Sequence, residues 1–141
     1  MCKIVIAVDF DGTIVTHGFP GIGKEIPGAV RTLKKLQKDY NCALILWTCR
    51  TGYTLAEALQ WCTDRRLMFD AVNSNVDFVW GSTPKIFYDI LIDDKAIDLS
   101  GTSDAEFDML KWDDTFHAVL DRINKIEELR RIRKEDTFLR E

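Results

Sequence analysis

No run in this sequence is long and apolar enough to span a bilayer, and the apolar start, Lys3 to Val8, is short and meets two aspartates at once. That excludes a membrane span and a secretory leader from the reading; the expected location is the cytoplasm, with no membrane partner. Cysteine is sparse and scattered: Cys2, Cys42, Cys49 and Cys62 make no CxxC pair and no zinc spacing. They read as reduced residues, with Cys42 in an apolar run and Cys62 on the apolar face of a helix. A basic excess is also missing. The 19 Lys and Arg against 23 Asp and Glu give a net charge of -4, which argues against sequence-independent nucleic-acid binding but leaves room for a substrate with few phosphates. Repeats, low-complexity tracts and linkers are absent. The 141 residues, 46% hydrophobic and 30% charged, are read as one domain over 1–141, with the motifs in 1–100 and a helical tail from about 104 to 141.

What is present is an alternation of strands and helices. Lys3 to Val8 is β-branched and almost wholly apolar, as a strand buried on both faces should be. Ile14 to Ile26, with Gly18, Pro20, Gly21 and Gly23, reads as a loop or short hairpin flap. Pro27 is placed to start a helix whose apolar face is Val30, Leu33, Leu36 and Tyr40. Ala43 to Trp47 is a second buried strand. Thr54 and Glu57 have capping-box spacing ahead of a helix burying Leu55, Leu59 and Cys62. A short strand at 70–73, a helical turn at Thr83-Pro84-Lys85 and a strand from Tyr88 to Ile92 follow. This order argues for an α/β, Rossmann-like three-layer sandwich around a mainly parallel sheet. The tail helix, from about Thr115 to Glu135, carries the stripe Phe116, Val119, Leu120, Ile123, Ile126 and Leu129. That stripe is expected to pack on the chain's own sheet, with a homodimer contact as the competing use.

Polar residues gather where strands end. Asp9 and Asp11 follow the first, Thr48 and Arg50 the second, Asp93 and Asp94 the last. Ligand sites in open parallel sheets form at these ends. Four carboxylates there would repel one another unless a divalent cation joins them, and an all-oxygen donor set favours Mg2+. A carboxylate can attack phosphorus, a second can move the proton, and the backbone N–H groups of Gly12 and Thr13 can approach phosphoryl oxygens. Lys85 and Thr48 are placed to complete the clamp. Arg50 reads equally as a contact to a second anionic group of the substrate or as a structural ion pair.

These residues resemble the haloacid dehalogenase-like (HAD) superfamily over roughly the first hundred residues. Asp9-Phe10-Asp11-Gly12-Thr13 matches its DxDGT motif, Leu46-Trp47-Thr48 its second, Lys85 its third and Ile92-Asp93-Asp94 its fourth. The pattern is similar to small bacterial and phage members with an LWT-C/S-R second motif and a late IDD. The resemblance implies that Asp9 is nucleophile and Mg2+ ligand. Asp11 would be the general acid/base and offer its backbone carbonyl to the metal, while Thr48 and Lys85 hold the phosphoryl group. Asp94 would be the direct ligand, with Asp93 and Asp98 supporting it from behind. The intervals between motifs are too short for a cap domain. An open site would take a phosphorylated small molecule or the phosphorylated end of a larger one, unless the flap from Thr16 to Lys24 or a second subunit covers it. The implied activity is a Mg2+-dependent phosphatase. A dehalogenase, which would not need Asp11, and a non-catalytic phosphate- or metal-binding module are the alternatives.

Overall fold

The computed structural model describes residues 3–81, 83–96, 103–104 and 109–140. Its strands and helices run β1 (Ile4–Val8), α1 (Ala29–Asp39), β2 (Cys42–Leu46), α2 (Gly52–Asp64), β3 (Ala71–Val72), β4 (Ile90–Ile92), β5 (Ser103–Asp104), β6 (Met109–Leu110) and α3 (Trp112–Arg140). Every residue of β1 and β2 is buried, which is why these strands lack polar alternation. They lie side by side in parallel, Ile4 opposite Cys42 through Val8 opposite Leu46. β4 joins the other side of β1 and β3 the other side of β2, giving an all-parallel sheet in the order β3-β2-β1-β4. Asp70 and Asp89 extend the short outer strands: their carboxylates accept the N–H groups of Leu44 and Val5 at 2.8 Å each. A separate antiparallel pair, β5 with β6, precedes the last helix.

Chain direction across the sheet decides what covers each face. From β1 to β2 to β3 the chain moves one way, and right-handed crossovers place their helices on one face. Ile4, Ile6, Val8, Leu44 and Leu46 accordingly pack with Leu33 and Leu36 of α1, Ala58 and Cys62 of α2, and Val119 and Ile123 of α3. The return to β4 reverses direction and crosses the opposite face. There Val5, Ala7, Ala43 and Ile45 are covered by Val76 and Ile86, from the 73–89 connection. That connection contains no helix among its described residues, so the second covering layer is irregular chain. The helical turn expected at Thr83–Lys85 does not form; the Thr83 hydroxyl instead bonds the Lys85 carbonyl at 3.0 Å.

Two helix starts also differ from expectation. α1 begins after Gly28, whose φ of 87° only glycine adopts without strain, so Pro27 stands outside the helix. α2 begins earlier than the capping box required. Thr54 sits inside its first turn and donates to the Thr51 carbonyl at 2.9 Å. At the other end of the chain α3 runs longer than its apolar stripe: Ile126 is buried but Leu129 is 42% exposed. Val119, Ile123 and Ile126 do join the main core as the stripe predicted. Burial pushes the thiols of Cys42 and Cys62 up, to about 11 and about 12, consistent with cysteines that serve as packing. Among the described residues no helix is long and apolar enough to cross a membrane.

Candidate active site

The strand order reverses between β1 and β4, which makes the carboxyl ends of those two strands the natural ligand crevice. Asp9 follows β1 directly, and its N–H bonds the Ile92 carbonyl at 3.0 Å. Asp93 and Asp94 follow β4. One carboxylate oxygen from each of Asp9, Asp93 and Asp94 lies within 4.8 Å of the others. The buried hydroxyl of Thr13 joins two of them: it lies 3.3 Å from Asp9 Oδ2 and 3.2 Å from Asp94 Oδ1, and accepts the Asp94 N–H at 3.1 Å. One hydroxyl proton serves only one of those carboxylates at a time, so repulsion in the cluster persists.

That repulsion shows in the ionisation of Asp9. Burial first, then the charge of Asp93, raises it to about 7, with Asp94 adding to the rise and the Phe10 N–H opposing it. Asp93 is raised in the same direction, chiefly by burial. Asp9, Asp93 and Asp94 each offer a carboxylate oxygen close enough to the others to share one cation. An all-oxygen set of this kind fits a hard divalent cation such as Mg2+.

A pH prediction follows for protein stripped of divalent cations. The folded-state value of Asp9 lies above its ordinary 3.8, so the folded chain binds more protons than the unfolded one between those limits. Stability from this group is complete below about 4 and is lost as pH rises through about 7. The melting temperature should therefore fall across that window, and Mg2+ should flatten the slope. A melting temperature that rises across the window in chelator would contradict the crowding of these carboxylates.

Asp93 was expected to stand behind Asp94; instead it stands beside Asp9 and Asp94 as an equal. The N–H of Lys95 bonds Asp93 Oδ1 at 2.9 Å and fixes it there. Asp98, the other supporting carboxylate of the motif, lies outside the described residues. The Asp11 carboxylate is not in the cluster. It faces Arg50, whose Nε and Nη2 donate to its two oxygens at 2.7 Å each.

Arg50 resolves to the ion pair rather than the substrate contact. Its side chain is fully buried, and its other donors reach the carbonyls of Pro20, Thr54 and Gly21. Rings of Phe10 and Phe19 each lie 5.2 Å from its guanidinium carbon. All its donor directions are spent inside the chain, leaving none for an anionic ligand.

The N–H groups of Gly12 and Thr13 are likewise spent, on the carbonyls of Val15 and Phe10. Their expected approach to a phosphoryl group is therefore not available in this structure. Gly12 matters for another reason. Its φ is 82°, and a Cβ there would run into the imidazole of His17 and the carboxylate of Asp94. His17 Nε2 lies 3.1 Å from Asp94 Oδ2, a contact the sequence reading did not assign. Its loop is the expected hairpin flap, held by the Val15–Glu25 bridge and the Thr16 N–H to Lys24 carbonyl bond of 2.8 Å.

Thr48 stands at the same sheet edge, after β2, half-buried, its hydroxyl accepting the Arg50 N–H at 3.2 Å. Lys85 is exposed in the 73–89 connection, and among the described residues its ammonium makes no hydrogen bond or ion pair. Two further residues escaped the sequence reading. Asn73, with φ 50°, bonds the Leu46 carbonyl through its N–H and accepts the Thr48 N–H on Oδ1, both at 2.8 Å. An Asn directly after a strand was the available signal, since Asn tolerates the left-handed region. Asn73→Ala should cost about 1–2 kcal/mol by orphaning the Thr48 N–H, read from urea unfolding; a change below about 0.3 kcal/mol would remove Asn73 from the site's support. Trp112 is the other: its indole Nε1 donates to the Thr13 carbonyl at 2.8 Å across 99 residues of sequence. Nothing local to Trp112 announces that bond.

No family model matches the chain, and no curated protein matches it. Among solved structures it is similar to a conserved protein of Bacteroides thetaiotaomicron, with 40% sequence identity and a TM-score of 0.71 over 86% of this chain and 93% of that one.

Proposed function

We propose that this chain, which belongs to the same family as that conserved Bacteroides thetaiotaomicron protein, is a Mg2+-dependent phosphohydrolase acting through an aspartyl-phosphate on Asp9. The observation that carries the reading is the grouping of Asp9, Asp93 and Asp94 at the β1/β4 switch point, with oxygens within 4.8 Å. The motif order shared with the HAD superfamily supports it, and so does the sheet, whose strand order puts both motif ends in one crevice. Asp9, Asp93 and Asp94 would hold Mg2+, with the Asp11 backbone carbonyl as a further ligand. When bound, the cation neutralises charge on a phosphoryl group and on the carboxylates around it.

The chain's own residues would divide the remaining work. Asp9 attacks phosphorus. Thr13 keeps Asp9 and Asp94 in register through its hydroxyl, while Trp112 and the Asp94 N–H hold Thr13. Thr48 grips the phosphoryl group from the end of β2, and Lys85 supplies a cation from the 73–89 connection. Asp11 is the acid/base partner and takes the proton of the water that releases phosphate. The substrate is a phosphorylated small molecule or the phosphorylated end of a larger one. The test is turnover of p-nitrophenyl phosphate with saturating Mg2+, with loss of turnover in Asp9→Asn. A wild-type protein inert on a broad panel of phosphoesters would defeat the reading.

A further inference from the structure

We infer that His17 makes the flap part of the cation site: its imidazole positions Asp94 as a ligand, and through that contact cation binding and flap closure are coupled. This role rests on the Mg2+-dependent phosphohydrolase reading above and adds to it a positioning residue that none of the four motifs contains.

The contact fixes a ligand from its outer side. Asp94 Oδ2 lies 3.1 Å from His17 Nε2, while Asp94 Oδ1 lies 3.2 Å from the Thr13 hydroxyl. With a partner on each oxygen the carboxylate plane cannot swing, and a carboxylate so held presents its remaining lone pairs in one direction. The Asp94 side chain is only 6% exposed and that of His17 46%, so the bond is made where the site meets solvent. His17 is not itself a ligand: among the described residues, those with oxygens within 4.8 Å of one another are Asp9, Asp93 and Asp94, without the imidazole. The bond needs only an N–H on Nε2, which a neutral tautomer and the charged imidazole both present, so the charge of His17 plays no part.

The flap is built to deliver this side chain. Its two limbs are joined beside His17: the Thr16 N–H bonds the Lys24 carbonyl at 2.8 Å, and the Lys24 N–H bonds the Thr16 hydroxyl at 2.9 Å. A Cβ on Gly23 would collide with the Thr16 carbonyl and hydroxyl, so the limbs close there only because residue 23 has no side chain. On the other side a Cβ on Gly12 would run into both the His17 ring and the Asp94 carboxylate, so bare backbone admits the imidazole. Further along, the Pro20 and Gly21 carbonyls accept from Arg50. The flap therefore has two ties to the body of the protein. The one through Arg50 is buried and ends on protein groups; the one through His17 is half-exposed and ends on a cation ligand. Only the second responds directly to the cation. By linkage, whatever the His17 contact adds to cation affinity, the cation adds to flap closure.

The experiment titrates Mg2+ into the full chain at one pH without substrate and reads Kd from the rise of melting temperature with concentration. It compares wild type, His17→Ala and His17→Gln. Loss of an outer partner of this kind should raise the Kd at least about tenfold in the alanine variant. Glutamine places an amide N–H near Nε2 and should return the Kd to within about threefold of wild type. A purely structural histidine would instead lower the melting temperature in chelator and leave the Kd alone. Hydrogen exchange of residues 16–24 supplies a readout that needs no variant: Mg2+ should slow it at least about threefold in wild type, and this slowing should vanish in His17→Ala. A folded alanine variant with a Kd within about twofold of wild type overturns the positioning role, and so does a glutamine variant as weak as alanine. Flap exchange indifferent to Mg2+ in wild type overturns the coupling. Wild type that binds no Mg2+ overturns this role and the metal-dependent reading together. Cation affinity that depends on His17, in a protein inert on every phosphoester, leaves the role of His17 standing and defeats the phosphohydrolase reading alone.

Discussion

Asp9→Asn is expected to reduce phosphoester turnover by about 1000-fold or more, because an amide cannot form the acyl-phosphate on which the proposed reaction depends. The same change should leave the fold intact and, in chelator, make it more stable at neutral pH. The carboxylate of Asp9 is pushed up to about 7 by burial and by Asp93, so its charge is unfavourable where a neutral amide of equal size is not. Loss of activity with unchanged or raised melting temperature therefore separates a nucleophile from a structural residue. Retention of more than about a tenth of the wild-type rate would exclude Asp9 as nucleophile.

Trp112→Ala should have the largest effect on stability. The indole is almost fully buried, joins the main core at the start of α3, and holds the Thr13 carbonyl at 2.8 Å. Removing a buried tryptophan leaves a cavity worth about 3–5 kcal/mol, which for a chain of this size lowers the melting temperature by about 10 °C or more. Trp112→Phe keeps most of the ring volume and removes only the donor. That variant should lose about 1–2 kcal/mol, and its turnover should drop with it, since Thr13 carries the hydroxyl between Asp9 and Asp94. A Trp112→Ala protein within about 1 kcal/mol of wild type in urea unfolding would show that α3 does not brace the site.

The two predictions differ in how far the sequence reveals their residues. Asp9 is legible because it directly follows a run of five buried apolar residues. A strand that must be buried on both faces ends abruptly where polar residues begin, and a parallel sheet delivers that end to its crevice. The same logic located Asp93, Asp94 and Thr48, while Gly18, Pro20, Gly21 and Gly23 marked the flap between Ile14 and Ile26. Trp112 is illegible because the bond it makes is with a carbonyl 99 residues earlier, and no spacing or periodicity encodes such a pair. The expected helical turn at Thr83–Lys85 failed for a related reason. A Thr-Pro start is only permissive, and here the connection must cross the sheet face and place Val76 and Ile86 over Val5, Ala7, Ala43 and Ile45.

Side-chain roles divided along the same line. Adjacent acids after a strand are visible in the chain, but which of Asp93 and Asp94 faces Asp9 depends on the turn after β4. There the Lys95 N–H fixes one and Thr13 the other. Asp11 and Arg50 are 39 residues apart, and Arg50 taken alone reads equally as a substrate contact or as a structural ion pair. Only the fold brings them into one fork and spends the remaining Arg50 donors on the flap and on the Thr54 carbonyl of α2. By itself, then, the sequence determined the buried strands, the helices between them and the residue types at the strand ends, because hydrophobic periodicity and backbone chemistry act locally. The tertiary structure decided which of those residues meet: three carboxylates at the switch point, the fourth held by arginine. Distance, burial and shared acceptors are properties of the packed chain.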